Sequence, residues 1–257
     1  MKLFYLCITL CTVSNCFALP QQDETVPRQF ALPPYKIYYQ WKQIDFDFPP
    51  STNVSGLKSN GSYIQLNVIP TAIKVYGDRA FIATPRYKPG VPVTLSSIRY
   101  NNRFEIFGIL FGDESPKFKP FPSYPMQEEG NCSALQLVQS MEVDEFGRLW
   151  IVDVGRTQLL GGEPRNLCPA KILVVDLTDG DKIISTYEFP ADVAPPTATF
   201  VKDFQVACQS RTECWVYISD PIGNLVVYNY GKNESYIVKH PTMLPDPAKE
   251  NFTIDGN

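Results

Sequence analysis

Between Arg148 and Gly155 the chain reads RLWIVDVG, an apolar run of strand length that ends on an acid and a turn residue. The pattern returns at ECWVYISDPIG (213–223). Aligning Asp153 on Asp220 sets Trp150 on Tyr217 and Ile151 on Ile218, a spacing of 67 residues. A fainter copy, FIAT, begins at Phe81, 69 residues before Trp150, and carries Thr84 in the place of the aspartates. The stretches LNVIPTAIKVYG, LVQSMEVDEFG and FVKDFQVAC precede the three copies, and KILVVDL (171–177) and NLVVYNY (224–230) follow the second and third. Short runs rich in β-branched and aromatic residues, bounded by turn residues, predict strands. DEFG (144–147) predicts a tight turn joining two of them. The middle copy alone inserts GRTQLLGGEPRNLCPA (155–170) ahead of its partner strand, and IDFDFPP (44–50) reads as an entry strand ending at Pro49.

Several antiparallel strands recurring at a fixed spacing are the mark of a β-propeller, in which each blade buries its faces against its neighbours. A β-sandwich would account for short strands but not for the recurrence. The expected fold class is therefore all-β, with the extra length of each repeat lying in loops. Twenty-three prolines and fifteen glycines agree with many strands and turns rather than a helical bundle.

The first eighteen residues place Lys2 before an apolar run and end on Ala18, the pattern of a secretory signal; the run is too short to span a bilayer. The expected domains are thus a signal segment, 1–18, and a partial propeller, 19–257. The remaining 239 residues, divided by about 68 per repeat, give three and a half blades, short of the roughly four to eight that close a ring. The sequence therefore predicts a ring incomplete at its C-terminal end, with exposed blade faces open to self-association.

Loss of the signal also removes Cys7, Cys11 and Cys16 and leaves Cys132, Cys168, Cys208 and Cys214. An even number in an oxidising compartment favours two disulfides. Three pairings are open, and Cys132 with Cys168 and Cys208 with Cys214 are the pairs expected. Five Asn-X-Ser/Thr triplets, at Asn53, Asn60, Asn131, Asn233 and Asn251, predict surface N-glycosylation. The formal charge without Lys2, 22 minus 27 or −5, favours no nucleic acid partner.

Five stretches, YQWKQIDFDFP (39–49), TPRYKPGVPVTL (84–95), RLWIVDVG, LCPAKILVVDL (167–177) and YISDPIGNLVVYN (217–229), resemble in content and order the yellow and major royal jelly protein family. Tyr87 stands where that family commonly has Trp after Pro-Arg. The resemblance implies a secreted propeller of the six-bladed type, of which about three to four blades lie in this chain. It further implies a small aromatic amine or indole-type ligand in a central pocket. The alternatives it implies are conversion of dopachrome in melanin formation and a secreted storage or structural glycoprotein.

The candidate ligand-binding residues are Arg86, Asp153 and Asp220, at or just past the ends of equivalent strands, where loops gather at one face of the ring. An arginine fork suits a carboxylate, and an aspartate suits an ammonium or accepts a proton. An aspartate ahead of a Gly- or Pro-containing turn also caps that turn with its own side chain. Thr84, standing in the same place, favours this structural use. Phe81, Trp150 and Tyr217 read as core between blades. His240, the single histidine, gives no support to triad or zinc chemistry, and IDFDFPP lacks the glycine and carboxylate spacing of a calcium loop. No metal and no cofactor are expected.

Overall fold

The computed structural model describes residues 39–99, 115–160, 164–244 and 246. The signal segment and Asn251 lie outside the described residues. Three sheets of four antiparallel strands follow one another along the chain. The first holds β1 (Ala72–Tyr76), β2 (Arg79–Ala83), β3 (Leu95–Arg99) and β4 (Lys119–Pro120). In the second, β5 (Val138–Val143) and β6 (Arg148–Asp153) are joined by the DEFG turn. The insertion then forms a small ribbon of β7 (Arg156–Thr157) and β8 (Arg165–Asn166) before β9 (Lys171–Asp176) and β10 (Lys182–Glu188) complete the sheet. The third runs β11 (Phe204–Cys208), β12 (Cys214–Asp220), β13 (Asn224–Asn229) and β14 (Glu234–Val238). β5 packs against both β1 and β11, so the first strands of successive sheets meet. These are three blades of a partial β-propeller, with β1, β5 and β11 innermost.

The burial of each strand explains its sequence. Every residue of β6 and of β9 is buried, because the second blade lies between two others. Alternate side chains of these strands serve opposite cores. Trp150, Val152, Ile172 and Val174 pack with Phe204, Val216, Ile218 and Tyr228 of the third blade. Leu149, Ile151, Leu173 and Val175 pack with Phe81, Ala83 and Leu95 of the first. A strand covered on both faces reads as a continuous apolar run, which is why RLWIVDVG and KILVVDL stand out. In β12, by contrast, burial alternates. Phe81 and Trp150 are core residues as expected, but Tyr217 is 41% exposed, on the face of the third blade turned away from the second.

Asp144 closes the DEFG turn. Its Oδ1 accepts from the Phe146 and Arg148 amides, its Oδ2 accepts from Arg148 Nε and Trp150 Nε1, and Gly147 takes φ +73°. The segment IDFDFPP forms no strand, contrary to expectation. Phe46 makes a single parallel bridge to Phe118, and its ring joins Phe48, Tyr63 and Phe118 over the outer face of the first blade. A short helix, α1 (Val54–Ser59), follows, capped by the Asn53 side chain, which accepts from the Gly56 amide.

Candidate functional site

The loops that leave β2, β6 and β12 and those that lead into β5 and β11 lie at one end of the blades, and the three sequence-predicted residues all lie there, inside the loops. Arg86 is 2% exposed. Its Nε donates to Val91 O, Nη1 to Leu135 O and Gln136 O, and Nη2 to Pro92 O and Gln127 O. Five N–H groups meet five carbonyls, the full donor capacity of a guanidinium. Removal from water pushes the Arg86 pKa down to about 10, against the opposing pull of Glu129 and Asp153.

Asp153 is fully buried and accepts from the amides of Gln136, Leu137 and Gly155. It also pairs at 2.9 Å with Lys171, which the β6–β9 register sets directly opposite and whose Nζ donates to Ala134 O. Asp220 repeats the arrangement, accepting from Thr199 Oγ1 and from the amides of Phe200 and Ile222, with the Arg156 guanidinium, bound to Thr199 O, as the nearby charge. Thr84 plays a related part by donating to Val93 O at 2.7 Å. In the second and third blades a carboxylate at the strand end ties the incoming loop to the outgoing turn. Lys171 was not singled out from the sequence, although a lysine opening an apolar run (KILVVDL) was its signal.

A second group at the same end crosses all three blades, with Gln139 and Ser140 buried and Thr71 and Asp203 exposed. Gln139 sits at a bulge where the β5–β6 register shifts, and its carbonyl accepts from Thr71 Oγ1 at 3.0 Å. The Tyr87 hydroxyl, from the first blade's loop, donates to Gln139 Oε1, and the Tyr87 ring meets that of Phe200 edge-on at 6.3 Å. Ser140 Oγ donates to Asp203 Oδ1 at 2.7 Å, bringing the starts of the two innermost strands β5 and β11 together. Asp203 Oδ1 also accepts from the Phe204 amide. Asp203 is exposed, and the hydrogen bonds it accepts from the described residues through its carboxylate fall on Oδ1. Burial pushes the Tyr87 phenol up to about 12, so it stays protonated at neutral pH. Bulges of this kind cluster beside functional sites, where they re-aim a side chain. The polar pair Gln139-Ser140 inside the apolar LVQSMEV (137–143), and Asp203 ahead of Phe204, were the sequence signals for this row.

The insertion is fastened to the first blade's loop. Gln158 N donates to Arg86 O at 2.7 Å and Leu160 N to Tyr87 O at 3.0 Å. The Cys132–Cys168 disulfide joins the loop before β5 to the end of the insertion, and Cys208–Cys214 clips the turn between β11 and β12. A groove of about 630 Å³ lies against the first blade's outer face, lined by Trp41, Ile44, Leu66, Ile73 and Phe118 among others, and touches the row at Thr71. Asn53, Asn60, Asn131 and Asn233 are exposed. The described residues hold no group of three or more His, Cys, Asp or Glu placed to hold a metal ion. None of their helices is long and apolar enough to cross a membrane.

The profile described as major royal jelly protein matches residues 136–257. Over 222 residues, 85% of this chain, the sequence is 32% identical to the protein named yellow of Drosophila guanche and to that of Drosophila melanogaster. The protein yellow of Drosophila pseudoobscura pseudoobscura is 31% identical over the same share. The chain spans 37–39% of the length of these relatives.

Proposed function

The chain belongs to the yellow and major royal jelly protein family. From that premise we propose that it is a secreted glycoprotein that holds a small aromatic amine at the loop face of its blades, between Tyr87, Phe200 and Asp203. The observation that carries this reading is the row itself, in which two aromatic rings and one exposed carboxylate share a connected set of contacts across three blades. An aromatic ammonium ligand asks for ring walls and one fixed counter-charge. Asp203 Oδ2 is free to accept from the ammonium, while Oδ1 is already anchored by Ser140. Arg86, Asp153 and Asp220 enter as the buried frame that fixes the loops. The two disulfides and the four exposed sequon asparagines support the extracellular part of the reading.

Calorimetric titration with serotonin and with dopamine tests it. Binding that weakens at least about tenfold in Asp203→Asn, as loss of a charged hydrogen bond predicts, supports the site. Absence of heat with either amine favours a storage or structural glycoprotein instead. A second reading, dopachrome conversion, requires one general base and one general acid. The exposed Asp203 carboxylate and the protonated Tyr87 phenol are groups of those two types. Dopachrome decay unaltered by Asp203→Asn and by Tyr87→Phe would remove this reading.

A further inference from the structure

Arg148, buried at the start of β6, reaches across from the second blade to the third. Its Nε is engaged by Asp144 Oδ2 at 2.6 Å and its Nη1 by Arg211 O at 2.6 Å. Nη2 is aimed at sulfur: Cys214 Sγ lies 3.1 Å away and Cys208 Sγ 3.6 Å. The guanidinium is held in place by the rings of Phe146, Trp150 and Tyr230, each with its centroid 5.1–5.4 Å from the central carbon. A cation fixed beside a cysteine stabilises the thiolate. The two sulfurs also differ in access, since Cys214 is fully buried and Cys208 is half-buried.

We propose that Cys208 is a site of S-thiolation, at which a low-molecular-weight thiol such as glutathione exchanges into the Cys208–Cys214 disulfide. The incoming thiolate attacks Cys208 Sγ and forms the new S–S bond there. The Cys208–Cys214 bond breaks, and its electron pair leaves on Cys214 Sγ as a thiolate facing Arg148 Nη2. The incoming sulfur is oxidised to the disulfide level, Cys214 is reduced, and no proton has to move. Exchange is faster when the leaving thiol has a low pKa, and Arg148 Nη2, 3.1 Å from Cys214 Sγ against 3.6 Å from Cys208 Sγ, supplies that condition more strongly at Cys214. The other disulfide is an internal control. Cys132 is half-buried like Cys208, and Cys168 is buried, but the polar neighbour found there is the Leu167 carbonyl, 3.6 Å from Cys132 Sγ. Cys214 Sγ likewise has a carbonyl, that of Ser210, at 3.4 Å, so the guanidinium is what distinguishes the pairs.

Thiolation has a structural consequence. The turn that the disulfide clips carries Arg211, whose Nη2 binds Asp176 Oδ2 at 2.7 Å and whose carbonyl takes Arg148 Nη1. Opening the clip therefore loosens a contact between the second and third blades.

The test is to incubate the full chain with glutathione near neutral pH, trap free thiols by alkylation at intervals, and locate adducts by peptide mass spectrometry. The expected result is glutathione on Cys208 and a free thiol on Cys214, appearing on the order of tenfold faster than any opening of Cys132–Cys168. An adduct on Cys214, or equal rates at the two disulfides, overturns the proposal. Arg148→Gln, where circular dichroism shows it folded, should bring the two rates together; an unchanged ratio in the folded variant also overturns it. If that variant does not fold, the position of the adduct and the rates in the unaltered chain decide.

Discussion

Asp153 and Lys171 face each other between β6 and β9 with neither side chain open to water. Removing one partner of such a pair leaves an uncompensated charge in the interior, at a cost of about 3–5 kcal/mol. Lys171→Met should therefore lower the free energy of unfolding by that amount in denaturant titration. The double variant Lys171→Met, Asp153→Asn should recover part of it, because the orphaned charge is gone while the Leu137 and Gly155 amides, both bound to Oδ1, keep an acceptor. Strictly additive losses would mean that the two side chains do not interact. Tyr87 supports a prediction in pH. Its folded pKa lies near 12, above the ordinary value of 10.0, so the folded state holds the phenolic proton more tightly than the unfolded one. The associated stability is fully present below pH 10 and is lost as pH rises through the window from 10 to 12. Tyr228 is raised to about 12 by burial and acts with the same sign. Unfolding midpoints should fall across this window, and Tyr87→Phe should make the fall shallower. An identical slope in the variant would place the Tyr87 phenol in water.

At the scale of elements, what could be read from the chain depended on burial. β2, β6 and β12 and their partners β9 and β13 announce themselves because one or both faces are covered by neighbouring blades, so their apolar residues recur at blade spacing. The outermost strands were not legible. β10 and β14 are half exposed and mix polar with apolar residues, and β4 is two residues long. Tyr217 misled because alignment on Trp150 carries over the strand position but not what covers it. The candidate site was hidden for a different reason: Tyr87 and Gln139 are 52 residues apart, and Ser140 and Asp203 are 63 apart. No local pattern encodes a contact between blades. The insertion depends on one backbone position. Gly155 has φ +75°, and a Cβ there would lie 2.3 Å from the Cys168 carbonyl oxygen and 2.5 Å from that of Pro169, both backbone atoms that cannot swing aside. Gly155→Ala should cost roughly 1–3 kcal/mol for the left-handed conformation alone, and more for the displacement of the β7–β8 ribbon. A thermal midpoint within a degree or so of the unaltered chain would contradict this.

On the scale of the molecule, the three described blades form an arc with two apolar faces uncovered among the described residues. On the first blade, Ile73 and Val75 of β1 are 60% and 52% exposed, next to the groove that Leu66 also lines. On the third, Tyr217 and Tyr236 share a face, since both are paired with Val227 across the sheet, and each is more than 40% exposed. Contiguous apolar surface of this extent marks a contact face or an aggregation hazard rather than ordinary solvent exposure. The outer strand β14 adds an edge on which Ile237 and Val238 lie, and a strand edge is a template for further pairing. The 257-residue chain, produced as such in a host that adds no glycans, should therefore self-associate, with a mass by light scattering above the 29.0 kDa of one copy and rising with concentration. Tyr217→Glu and Ile73→Glu place charges on the two faces without touching a buried residue. If the faces meet each other, either substitution alone should lower the mass toward one copy. If each face meets its own kind, both together are required. A chain that stays at the mass of one copy across the concentration range would show that these faces are covered by residues of the same chain.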